Sequence, residues 1–217
     1  MTTAQEFIES VTKGDKKAVE TMLSGNPELV HARNANGVSA VLLAVYYGLP
    51  DMARLLIARG VQPDIFEASA TGVTGRVKEL LEKDRSLANA YAPDGFQALG
   101  LASFLGHIDA ARLLLDYGAE VNSPSHNGQR VMPLHSAAAG QHLEVVRLLL
   151  EHGADPNAVQ ADDFTPLHAA ADIGQVEMVK VLLAYGANPR LQMRGGQTAY
   201  DIASSKGHTE AAELLKI

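Results

Sequence analysis

The chain has 217 residues with 18 basic and 25 acidic side chains, a net charge of −7, so it offers no basic footprint for a nucleic-acid backbone. It has no cysteine, which excludes disulfides, thiolate metal sites and cysteine nucleophiles. No apolar run approaches the roughly 18 residues a membrane helix needs, and Met1-Thr2-Thr3-Ala4-Gln5-Glu6 lacks the basic-then-apolar order of an export signal, so a cytoplasmic location is expected.

One pattern recurs seven times. Its first residue, termed the anchor below, falls at Gln5, Ser39, Pro63, Gln97, Met132, Thr165 and Thr198, at spacings of 34, 24, 34, 35, 33 and 33. The units run at about 1–36, 37–61, 62–94, 95–128, 129–161, 162–194 and 195–217 of a single domain. Five past each anchor the residue is small, from Ser10 and Ala44 to Ala203. Nine past it stands Gly14, Gly48, Gly72, Gly106, Gly174 or Gly207, with Gln141 the exception, as a tight helix-to-helix turn requires. Seventeen and eighteen past it comes an apolar pair, broken only by Lys216 in the last unit. A fixed period with two helical stretches per unit predicts a repeat architecture in which each unit packs only on its neighbours.

In chain order, the first helix carries Thr2, Thr3, Gln5, Glu6 and Glu9, the polar face of a terminal unit. The second unit is only 24 residues long and passes from Gly60 almost directly into the third unit's helix, so a gap is expected there in the concave surface. Thr71, Gly72, Thr74 and Gly75 are poor helix formers, which places the weakest interface near residues 62–82. Later units carry Gly95 and Gly196 two residues before their anchors, and Asp163 fills that place in the sixth. In that unit Thr165 caps a helix, Pro166 follows where a missing N–H costs nothing, and Met178, Val179, Leu182 and Leu183 form one buried stripe. Gly60, Gly118, Gly153 and Gly186 are expected as left-handed C-caps, with Asn26 and Asp84 as substitutes.

Met132-Pro133-Leu134-His135 and Thr165-Pro166-Leu167-His168-Ala169-Ala170, with Gly174, Leu182-Leu183 and Tyr185-Gly186-Ala187-Asn188, resemble the ankyrin repeat over essentially the whole chain. The chain is similar more narrowly to stand-alone bacterial-type ankyrin proteins, whose first and third units carry longer post-helix segments, here Asn26–Val30 and Asp84–Ala88. The resemblance implies an all-α fold: an α-solenoid of about seven helix-turn-helix units with β-turn fingers, the third unit lacking a preceding finger. It also implies a non-enzymatic scaffold with a protein partner. The polar ends disfavour end-to-end stacking, so a monomer is expected.

Eight histidines raise a metal or catalytic reading. His135 and His168 end the tetrapeptide, His107, His142 and His208 lie ten past their anchors, and His152 matches Tyr117 and Tyr185. His31 shares a slot with Asn89, Asn122 and Asn157, leaving only His126 outside the repeat. Histidines that recur in register are scaffold parts, and none of the phosphate-loop, dinucleotide or nucleophile-elbow motifs is present, so no catalytic residue, metal or cofactor is assigned.

Large apolar groups on positions that the resemblance places outside the scaffold carry the functional signal. Tyr46, Tyr47, Tyr91, Phe96, Phe104 and Phe164, six of the eleven aromatics, lie on finger tips or seven and eight past an anchor, where such repeats face the concave side. Leu105 and Ile173 join them, and Asp94, Arg130, Asp162 and Arg194 rim the strip. These twelve residues are the expected partner-binding surface. A second reading folds Tyr46, Tyr47, Tyr91 and Phe96 inward to fill the gap. A third makes that gap a small-molecule or enzymatic pocket, for which no convergent set of polar groups stands out.

Overall fold

A computed structural model describes residues 3–216, so Thr2 of the polar first helix lies outside the described residues. Seven helix pairs follow one another: α1 (Ala4–Thr12) and α2 (Lys16–Gly25), α3 (Ala40–Tyr46) and α4 (Pro50–Ala58), α5 (Ile65–Thr71) and α6 (Thr74–Lys83), α7 (Ala98–Phe104) and α8 (Ile108–Asp116), α9 (Pro133–Ala139) and α10 (Leu143–Glu151), α11 (Pro166–Ile173) and α12 (Val176–Ala184), α13 (Ala199–Ser205) and α14 (Thr209–Leu215). The first helices of all units pack in one row, and the second helices from α6 to α14 pack in another. Helices of seven to ten residues are too short to persist alone, so each depends on its neighbours in the stack.

The anchor residue is the N-cap of the first helix in five units, and Ser39, Thr165 and Thr198 each accept a backbone N–H on the side-chain oxygen. The first and third units shift slightly: Thr3 and Asp64 cap there, each in a reciprocal box with the Glu three residues on. Every second helix begins eleven residues past its anchor. Between the helices, the six turn glycines take φ of 68° to 77°. Gln141 adopts the same left-handed conformation at φ 63°, and the preceding Gly140 is helical at φ −75°, where a Cβ would run into the Phe104 carbonyl oxygen. The small residue five past the anchor is fully buried in every unit from Ala44 onward, which lets the inner helices approach closely.

Two side-chain ladders tie unit to unit. Asn89, Asn122 and Asn157 each donate to the carbonyl oxygen of the next unit's cap glycine, Gly118, Gly153 or Gly186, at 2.9–3.0 Å. Their Oδ1 atoms accept the N–H two residues beyond that glycine, at 2.7–2.9 Å. On the other side His107 and His208 bond back to the carbonyls of Ala70 and Asp172, and with His142 they cover Gly72, Gly106 and Gly174, where a Cβ would strike the ring.

Two expectations need correction. Asn26 and Asp84 are extended, at φ −148° and −149°, and are not left-handed caps. Pro27 disfavours the helical region at Asn26, but Asp84, followed by Arg85, takes the same conformation: both side chains start a 3₁₀ turn, Pro27–His31 or Arg85–Asn89, by accepting the N–H of Glu28 or Ser86. The finger before the third unit is absent as expected, but no gap remains in its place. Gly37 of the second unit's finger lies so close to Pro93, at the end of the third unit, that a Cβ would approach its ring carbon to 3.3 Å, and the Tyr46 hydroxyl donates to Asp94 at 2.6 Å. The neighbouring fingers have closed together.

The short unit still divides the interior. Units one and two share one apolar cluster around Phe7, Leu42 and Leu56, and the helices from α5 onward share another around Leu81, Leu114, Leu149 and Leu182. Ala70, Leu101 and the half-buried Phe66 connect the first cluster to the later units.

A concave groove as the candidate functional site

The inner helices α7, α9 and α11 and the fingers in front of them enclose an open groove of about 330 Å³. Aromatic rings line it: Tyr46 from the end of α3, Phe96 from a finger, Phe104 from the last turn of α7 and Phe164 from the finger before α11. Its remaining walls include Gly100, Leu101, Val131, Ser136, Ala139 and Ala169, with Gln160 and His135 among its few polar members. Phe104 is 50% exposed and Tyr46 40%, so these rings are offered to solvent.

The other residues singled out in the sequence lie elsewhere. Tyr47 is 61% exposed and outside the groove. Tyr91 clasps two fingers, stacking on His126 at 3.6 Å between ring centroids and bonding to Ser123 Oγ at 2.8 Å. Leu105 lines a separate hollow with Val45, Pro50 and Ala70, and Ile173 is half-buried outside both. Asp162 and Arg194 pair with each other across two fingers at 2.9 Å, and Arg130 is an exposed fingertip at φ 53°. Asp94 sits at the groove edge, holding the Tyr46 hydroxyl. Burial of that phenol end, then the hydrogen bond and charge of Asp94, raise its ionisation well above the ordinary 10.0 and keep it a donor.

Sequence reasoning missed Gly100. It lies inside α7, where glycine costs about 0.5–1 kcal/mol relative to alanine. A Cβ there would meet only Ser136 Oγ, at 3.8 Å, so packing does not demand glycine. The signal was present: three past their anchors, units five and six carry His135 and His168 where unit four has Gly100.

The two tetrapeptide histidines are buried. His168 Nδ1 accepts from the Thr165 N–H at 3.1 Å and meets its hydroxyl at 2.8 Å, which leaves Nε2–H to donate to the Leu191 carbonyl at 3.1 Å. His135 makes the equivalent bond to the Phe164 carbonyl, but Met132 brings no hydroxyl and His135 Nδ1 has no partner. Met132→Thr is therefore expected to raise unfolding free energy by about 1 kcal/mol, through the cap and the restored partner. A denaturant midpoint that stays put or falls would refute this.

No cluster of three or more metal-ligating side chains occurs among the described residues. A family model of ankyrin repeats, in three copies, matches residues 65–160 and 134–216, more than half of the chain. The chain belongs to the ankyrin-repeat family. Its first two ankyrin units lie outside the matched stretches and join the series through the same helix register. No curated protein matches the sequence. Ankyrin repeats are generally protein–protein interaction modules, and the family is typically non-enzymatic. No described helix is long and apolar enough to cross a membrane.

Proposed function

We propose that this ankyrin protein is a non-enzymatic scaffold that holds a protein partner in its concave groove, with Tyr46, Phe96, Phe104 and Phe164 as anchors and the fingertips of Asp94, Arg130, Asp162 and Arg194 around them. The observation that carries this reading is that four rings from three different units converge on one open apolar groove while the stacking core beneath is complete without Phe104. An exposed ring such as Phe104 supplies binding energy at an interface and little to an isolated fold, while Phe96 and Phe164 also pack against the core and so are held in place.

A displayed library of random peptides, selected on the immobilised protein, tests it. The expected result is enrichment of binders that Phe104→Ala and Phe164→Ala each weaken tenfold or more. No enrichment, or binders indifferent to both substitutions, would overturn the proposal.

A further inference from the structure

Two features of the groove go beyond its apolar lining. Gly100 leaves a recess in the floor that no neighbour needs, since a Cβ would fit at an ordinary distance from Ser136. The recess lies among Leu101, Phe104 and Ala139, so its surroundings suit a bulky apolar side chain. Beside it, Asp94 is a carboxylate that no Lys or Arg pairs with among the described residues. Its two oxygens accept the Tyr46 hydroxyl and, at 3.3 Å, the Phe96 N–H, which fix it at the edge without neutralising its charge. The opposite rim differs, because Asp162 already has Arg194.

We infer that the groove selects a peptide segment carrying a bulky apolar residue, seated over Gly100, next to a lysine or arginine that pairs with Asp94. This rests on the groove being the partner site and states the chemistry of what it takes. The net charge of −7 favours the same sign of partner at longer range. Gly100 thus fixes the size of the anchor and Asp94 its flanking charge.

The peptide selection is repeated on wild type, Gly100→Ala, Gly100→Leu and Asp94→Asn, with melting temperatures measured alongside. Enriched peptides are expected to share an apolar residue next to a basic one. Gly100→Ala is expected to weaken them about tenfold, the scale of one methyl in an apolar pocket, while raising the melting temperature; Gly100→Leu is expected to abolish binding. Asp94→Asn keeps an acceptor for Tyr46 and is expected to weaken binding several-fold and remove most of its salt dependence. Binders without a basic residue, or unchanged by Gly100→Ala and Asp94→Asn but lost with Phe104→Ala, would overturn this inference and leave the groove as the site. No binders to wild type would overturn both.

Discussion

Leu149→Ala is expected to lower the unfolding free energy by about 2–5 kcal/mol. Leu149 is fully buried on α10, in register with Leu114 on α8 and Leu182 on α12, both also fully buried. Its truncation leaves a cavity inside the row of second helices, where rigid neighbours on both sides limit collapse. In a stack the interfaces add, and no unit is stable alone, so the loss is felt by the whole array. Chemical denaturation checks this: the midpoint must fall clearly, and an unmoved midpoint would contradict the helix register.

The second large effect is acid lability. Burial pushes the His135 imidazole down to about 4 from an ordinary 6.5, against the opposing pull of the Phe164 carbonyl, and burial lowers His168 and His107 in the same direction. The unfolded chain therefore takes up protons first as pH falls. The stability contributed by neutral His135 is complete above about 6.5 and is lost progressively as pH drops to about 4. The shift corresponds to roughly 3 kcal/mol over that window, and about 2 kcal/mol at pH 5. Glu67 acts oppositely: its buried carboxyl is raised, so the stability of its protonated form is present at acid pH and is lost as pH rises through that raised value. Denaturant titrations at pH 7 and pH 5 should show the net loss, and His135→Gln should flatten it. An unchanged slope in that variant would remove His135 from the account.

Much of this fold was legible because ankyrin units repeat their physics. Thr165, Pro166, Gly174 and Leu182 each state a local requirement, and finding the same requirement at fixed offsets elsewhere locates helices, turns and core together. What failed was local geometry that repetition does not encode. Asn26 and Asp84 looked like caps because they follow their helices as Gly60 does, yet both are extended, each starting a 3₁₀ turn by accepting the N–H two residues on. The missing finger suggested a void, whereas the approach of Gly37 to Pro93 depends on how neighbouring units tilt, which one sequence does not specify.

The groove shows the same division. Phe104 and Phe164 stood out as large apolar groups at positions the repeat leaves free, and both line it. Tyr91 obeyed the same rule but stacks on His126, the histidine that the repeat did not explain. Gly100 escaped notice because a small residue carries no positive signal; its meaning came from what surrounds it.

Phe104, half exposed and outside both apolar clusters, is laid over the stacking frame and is not part of it. The unfolding free energy of Phe104→Ala tests that most directly. A change within about 0.5 kcal/mol of wild type, as for an ordinary surface substitution, is the expected result. A loss comparable to that of Leu149→Ala would place Phe104 in the core and contradict the account.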